Sequence, residues 1–321
     1  MAVSNESTVE VVSIHQQMFN LVLNEKTITK YVVAMLMPLF FIYVNGVMLF
    51  ALGSKRVFKE SPRYILFAHM LFTDSVHLLF SSMLYCFALV LLKVIMAGCA
   101  FIVFVSGTTF FIAPLNLAVM SLERYVAICF PLRHAKIATQ KRTYLAIILI
   151  WCISSINVVF DVLFGVVMDR HFLTSQVFCT RERIFIKPWQ LDVYYGFNTF
   201  YFVSVTLIIV FTYICIMITA RSVSSNKGSA TKAYRTVLLH FIQLCLGLTA
   251  FLYSIIERAA AMLGSTTLFL DLRYLNYLFI LVLPRCLSPL AYGLRDEALR
   301  PLFIYYFYYG KGKIRPAVNV H

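Results

Sequence analysis

Met120-Ser121-Leu122-Glu123-Arg124-Tyr125-Val126-Ala127-Ile128-Cys129-Phe130-Pro131-Leu132-Arg133-His134-Ala135 closes a long apolar run with a carboxylate, a guanidinium and a phenol in successive positions. An arginine at the edge of a hydrocarbon layer is costly to desolvate, so it stays at the headgroups or pairs with a neighbour such as Glu123. Both states are open to Arg124, which makes the triplet Glu123, Arg124, Tyr125 a candidate switch. The run that precedes it starts near Cys99, and 25 steps of about 1.5 Å carry the chain roughly 37 Å. That distance takes Cys99 to one surface of a bilayer and Arg124 to the other.

The whole chain reads the same way. Of its 321 residues, 61% are hydrophobic and 13% charged, against roughly 45–50% and 25% in soluble domains. Seven apolar runs of spanning length stand at 31–54, 63–92, 96–129, 143–168, 192–220, 234–263 and 271–294. The expected fold is an all-α membrane protein, a seven-helix bundle over 31–294. A polar N-terminus, 1–30, precedes it and a short amphipathic helix with a tail, 295–321, follows it. The segments on one face of the bundle hold the entire net charge of +14, which places that face in the cytosol and the N-terminus outside. Nucleic-acid binding would need that charge on a soluble surface, so membrane lipid is expected as a partner and nucleic acid is not. Asn5-Glu6-Ser7 is a glycosylation sequon on the outer side. No basic start leads into a short apolar core, so the first span is expected to act as an uncleaved insertion signal.

The sixteen-residue stretch resembles the Glu/Asp-Arg-Tyr signature of rhodopsin-like G-protein-coupled receptors. Its longer form, Tyr125-Val126-Ala127-Ile128-Cys129 followed by Pro131-Leu132-Arg133, is similar to that of the odorant receptors. Three further stretches resemble the same family: Pro62-Arg63-Tyr64, Lys232-Ala233-Tyr234-Arg235-Thr236 with His240, and Ser288-Pro289-Leu290-Ala291-Tyr292-Gly293-Leu294-Arg295. Departures are Arg63 for the family's Met, Ser288 for its Asn, and Gly247-Leu248 where its sixth-span toggle stands.

The resemblance implies a small-molecule odorant bound within the bundle, and a heterotrimeric G protein of the olfactory stimulatory type. It also implies rising cyclic AMP and a ciliary plasma-membrane location. It implies a disulfide between Cys99 and Cys179, switch residues Glu123, Arg124, Tyr125 and Tyr292, a G-protein contact at Pro131-Leu132-Arg133-His134, and a sodium-associated carboxylate at Asp74. The loop 168–191 holds Cys179 but not the further cysteine pair common in the family, which leaves its fold open. Candidate ligand residues are Ser106, Gly107, Phe110 and Phe111 on the third span, read as one small-polar-aromatic face, and Tyr253, Ile256 and Glu257 on the sixth. Such a stripe is more often the pattern of plain core. Pro114 is expected to kink the third span, and Pro301 to shorten the terminal helix.

Polar side chains inside the spans need partners. Asn45, Asp74, Asn116, Arg285 and Ser288 form a candidate intramembrane network, with His69 and His77 read as packing histidines. Asp74 and Arg285 lie eleven and nine residues from the inner ends of their spans, so at about 1.5 Å per residue both sit roughly 14–16 Å deep. Their pairing would put a guanidinium where relatives hold a sodium ion; the other reading lets Arg285 snorkel into a wet cavity. No Cys-x-x-Cys or His-Cys cluster calls for a metal, and no cofactor is expected. A non-olfactory rhodopsin-like receptor shares the triplet and the cysteine pair. A transporter or channel would show internal repeats, and an intramembrane hydrolase would show a nucleophile motif. Neither pattern is found, so no enzyme is expected.

Overall fold

The computed structural model describes residues 25–90, 93–223 and 266–310, with Leu252, Ile256 and Ala259 between them. Five of its helices are long and apolar enough to cross a membrane. They are Glu25–Gly53, Pro62–Val90, Met96–Cys129, Gln140–Met168 and Pro188–Val223, taken below as spans one to five. The sixth run falls outside the described residues. The seventh is helical from 266 to 295 in three pieces, Thr266–Asn276, a π-helical stretch Tyr277–Val282, and Leu283–Arg295.

Helices begin several residues before the apolar runs do, at Glu25 rather than 31 and at Pro188 rather than 192. Apolar residues mark the hydrocarbon, but a helix keeps its hydrogen bonds through the headgroup region, so its ends are set by caps and prolines. Span two starts at Pro62, the first helical position after Ser61. Thr139 Oγ1 accepts from Arg142 N at the head of span four. The π stretch lies just before Pro284, whose missing N–H breaks the ordinary ladder; Leu283 N donates five residues back, to Leu278 O.

Span three is the centre of the bundle. About two thirds of its apolar window is buried (67%), and span two is close at 61%, while spans one and four are buried over only 28% of theirs. Span three packs on spans two, four and five, and span one packs on span two. The outward faces carry Phe200, Leu207, Ile148 and Leu163 in the open. Against water they would be a liability, and against lipid they are a fitting surface.

The loop before span five, whose fold the sequence left open, is pinned three ways. Residues Gln176–Phe178 pair antiparallel with Lys93–Ile95, Cys179 is bonded to Cys99, and Phe172 drops onto Gly165, where a Cβ would stand 2.6 Å from its ring. On the opposite face, helix Leu299–Tyr309 lies along span one, with Phe50 and Tyr306 rings 4.9 Å apart. Pro301 does not shorten it. It occupies the first turn, where its absent N–H would have had no helical acceptor.

Candidate functional site

Span two carries a polar column. Arg63, Asp74, His77, Ser81 and Tyr85 recur at intervals that return to one helix face, while His69 and Thr73 sit beside it. Its rungs meet span three, span seven or Asp296 just past span seven, at depths that run from the Arg63 end to the Tyr85 end.

At the start of span two, Arg63 Nη2 donates to Asp296 Oδ2 at 2.7 Å, and Tyr64 O–H donates to the same carboxylate. Asp296 Oδ1 also accepts from the backbone N–H groups of Ala298 and Leu299, 3.1 and 3.0 Å away. One buried carboxylate thus caps the terminal helix and locks it to span two. Two charges, Arg63 in place of an apolar residue and Asp296 just past the last span, were the available signal for this pair. Replacing Asp296 by Ala is expected to cost about 1–3 kcal/mol through the lost cap and the charge-assisted bond. Asp296→Asn should lose less, because an amide oxygen still caps. Melting of the purified protein checks this, and an Ala variant that melts with the wild type would refute it.

One level deeper, Trp151 Nε1–H donates to His69 Nε2 at 3.0 Å. That fixes the proton on Nδ1, which donates to Asn116 Oδ1 at 3.1 Å. Asn116 Nδ2 completes the chain on Leu66 O. Spans two, three and four are joined by a histidine with both nitrogens occupied, the packing role expected of it. Asn45 Nδ2 reaches Ser75 Oγ at 3.2 Å, joining spans one and two.

At mid-depth the two predicted charges meet. Arg285 Nη1 donates to Asp74 Oδ1 at 2.8 Å, with side chains only 5% and 3% exposed. The same guanidinium reaches span three: Nη2 donates to Phe110 O at 3.1 Å, and Nη1 lies 3.5 Å from Thr109 O. The reason lies in the sequence. Pro114 has no N–H to offer the carbonyl four residues earlier, so Phe110 O needs a donor from elsewhere. The helix runs unbroken through Pro114, and Arg285 supplies the missing bond. The Pro114 signal was present in the sequence but was read only as a kink.

The four candidate ligand residues of span three do not share one face. Ser106 and Phe110 look toward spans two and seven: Ser106 O lies 3.1 Å from His77 Nδ1, and the Phe110 ring is 5.9 Å from the Arg285 guanidinium carbon. Gly107 and Phe111 look toward spans four and five. A Cβ on Gly107 would stand 2.9 Å from Val158 Cγ2, and Phe111 packs 5.1 Å from the Tyr201 ring. The reading as a single face is corrected because adjacent helical residues diverge by about 100°. Gly107 is small because two helices approach closely there.

Arg181, from the short helical turn Arg181–Ile184, lies 4.0 Å over the Tyr194 ring, and its Nη1 would be 3.9 Å from the same Gly107 Cβ. The loop therefore reaches down to the third span. Asp161, which no motif explained, accepts from Gln190 Nε2 at 3.0 Å. Gln190 Oε1 in turn accepts from Ile186 N and Lys187 N. Sequence reading took His77 only as a packing histidine and Arg181 only as part of the loop, and it missed Gln190, because no motif gives their contacts. Of the sixth-span candidates, Ile256 is helical and half-buried; Tyr253 and Glu257 lie outside the described residues. So do Asn5 and the side chains of Ser288 and Tyr292.

At the Arg124 end of span three, His134 Nε2–H donates to Glu123 Oε1 at 3.1 Å, with Arg124 half-buried beside it. Tyr125 packs between Phe130 and Phe211, at 5.6 and 5.7 Å. Helix Pro131–Ile137 follows, and it holds Leu132 97% exposed.

Comparison with known proteins adds an independent line. Residues 44–292 match the family model described as 7 transmembrane receptor (rhodopsin family). The chain is 34% identical to Odorant receptor 131-2 of Danio rerio over 290 residues, which is 90% of this chain and 87% of that one. Olfactory receptor-like protein COR4 of Gallus gallus is 26% identical over 82% of this chain and 88% of its own length. Olfactory receptor 4F6 of Homo sapiens is 30% identical over 57% of this chain and 61% of its own.

Proposed function

This chain belongs to the rhodopsin family of seven-transmembrane receptors, within its odorant-receptor branch, a receptor family and not an enzyme family; from that premise we propose that it binds a small-molecule odorant inside the bundle and activates a heterotrimeric G protein. The G protein is of the stimulatory olfactory type, the second messenger is cyclic AMP, and the location is the ciliary plasma membrane with the N-terminus outside. Residues 1–30, 31–294 and 295–321 serve as outer terminus, signalling bundle and inner helix with tail. Cys99 and Cys179 hold the lid, and Asn5 carries the glycan.

The observation that carries the proposal is the three-way contact at Arg285. Its guanidinium touches span two through Asp74 and span three through the Phe110 carbonyl, directly below the candidate ligand residues Ser106 and Phe110. A ligand that displaces Phe110 changes that contact, and spans two, three and seven shift their populations together. The cytoplasmic ends of those spans carry Arg63, Arg124 and Tyr292. Leu132, an almost fully exposed apolar residue in a basic loop, is suited to a pocket on the G protein, since exposed apolar anchors concentrate binding energy.

Expression with a cyclic AMP reporter, against a panel of water-soluble and volatile compounds, tests the reading. At least one compound should raise cyclic AMP in wild type and not in Arg124→Ala. A ligand-evoked current or flux that persists without any G protein would overturn it, and so would tags on the two chain ends found on the same side of the membrane. Leu132→Asp should weaken coupling roughly tenfold or more in half-maximal concentration at unchanged surface expression. Unchanged coupling would remove Leu132 from the interface.

A further inference from the structure

Among the described residues, two buried polar atoms beside the candidate ligand residues Ser106 and Phe110 have no hydrogen-bond partner: His77 Nε2 and Arg285 Nε. The residues are 2% and 5% exposed, so neither atom is satisfied by bulk water. They lie together. The His77 ring and the Arg285 guanidinium carbon stand 6.2 and 5.9 Å from the ring of the same residue, Phe110. His77 Nδ1 is 3.1 Å from Thr109 Oγ1, and Arg285 Nη1 is 3.5 Å from Thr109 O.

Their needs are opposite. Ser106 O, 3.1 Å from His77 Nδ1, can only accept, so Nδ1 carries the proton and the neutral ring leaves Nε2 as a bare lone pair. Arg285 Nε can only donate. A group that gives one hydrogen bond and receives one satisfies both, whereas an ether or ketone oxygen leaves Nε2 unpaired and a hydrocarbon leaves both. A carboxylate has no proton for Nε2 and stands beside the Asp74 charge. Leaving such groups unpaired in a buried site is costly.

We propose that His77 Nε2 and Arg285 Nε form a hydroxyl-binding site on the Phe110 floor, filled by an ordered water in the ligand-free protein and by the hydroxyl of an alcohol ligand in the bound one. The inference rests on the receptor reading above and names the ligand class for that same site. His77 is then a specificity residue: it selects alcohols from ethers of the same length.

Equilibrium binding of octanol and of octyl methyl ether to the purified full chain in lipid nanodiscs tests this without a G protein. Wild type should prefer the alcohol by roughly tenfold, the discrimination of one unmade hydrogen bond. His77→Asn keeps a donor at the Nδ1 position for Ser106 O but withdraws Nε2, and the preference should vanish. His77→Gln returns an amide oxygen to the Nε2 position and should restore it, which a merely structural role would not do. Absence of alcohol binding, equal affinities in wild type, or a preference retained in His77→Asn overturns the site. The two sources of the hydroxyl are separated by maps that resolve ordered waters. One oxygen within reach of both atoms without octanol, replaced by the octanol oxygen with it, supports the proposal. Hydrocarbon packed over both atoms, or a water that octanol does not displace, overturns it. A reporter silent to every compound while the alcohol preference holds would sink the receptor reading and leave the site standing; the converse result would do the reverse.

Discussion

Arg285→Met is expected to be the most damaging single change in the bundle. It leaves the Asp74 carboxylate buried without its cation, a loss of about 3–5 kcal/mol in comparable buried pairs. It also leaves Phe110 O without a donor, a further loss of about 1–3 kcal/mol. The two parts can be separated. Asp74→Leu combined with Arg285→Met removes both charges and should recover most of the first part, since apolar replacement of a whole buried pair is often neutral. Pro114→Ala combined with Arg285→Met gives Phe110 O a helical N–H and should recover the second.

The exchange Asp74→Arg with Arg285→Asp should rescue only partly, because it turns a carboxylate toward the Phe110 carbonyl. Arg285→Met alone also opens Asp74 to small cations, so its melting temperature should rise with sodium while that of the wild type does not. Surface display of tagged receptor and melting in detergent are the measurements. An Arg285→Met protein as stable as wild type would refute the account, and a complete rescue by the exchange would show that the carbonyl contact contributes nothing.

Loss of the Cys99–Cys179 bond ranks second. It closes a stretch with a sequence separation of 80, for which the chain-entropy model gives roughly 4.5 kcal/mol. The strand pair beside it is three residues long on each side, and a two-stranded ribbon of that kind is not stable alone. Without the bond the loop should release Arg181 from Tyr194 and from the Gly107 level of span three. Cys99→Ser, Cys179→Ser and the double variant are expected to show the same loss of surface display and of any ligand response, because half a disulfide has no function. A single variant with near wild-type response, or a double variant clearly worse than either single, would show that the two cysteines do not act as one unit.

The same comparisons show what kinds of information the chain displays openly. Apolar runs located spans one to five, because a helix in hydrocarbon must present such a run whatever its neighbours are. The depth of Asp74 and Arg285 could be counted because rise per residue is constant, and counting brought the two to one level. The rotation of each helix about its axis is a different matter. It put Ser106 and Phe110 on one side of span three and Gly107 and Phe111 on another, and it turned His77 toward Ser106 O. The strand pairing of the loop and the descent of Arg181 were equally invisible, since they join residues far apart with no motif between them.

By itself, the order of residues determined the membrane class, spans one to five, the chain's family and the common level of Asp74 and Arg285, which follow from apolar runs, motifs and rise per residue. Only the tertiary structure decided which carbonyl accepts the Arg285 hydrogen bond, which carboxylate caps the last helix and that His77 Nε2 and Arg285 Nε lack a partner among the described residues. Those outcomes depend on how several helices turn toward one another, and that is fixed by packing and hydrogen bonding between spans.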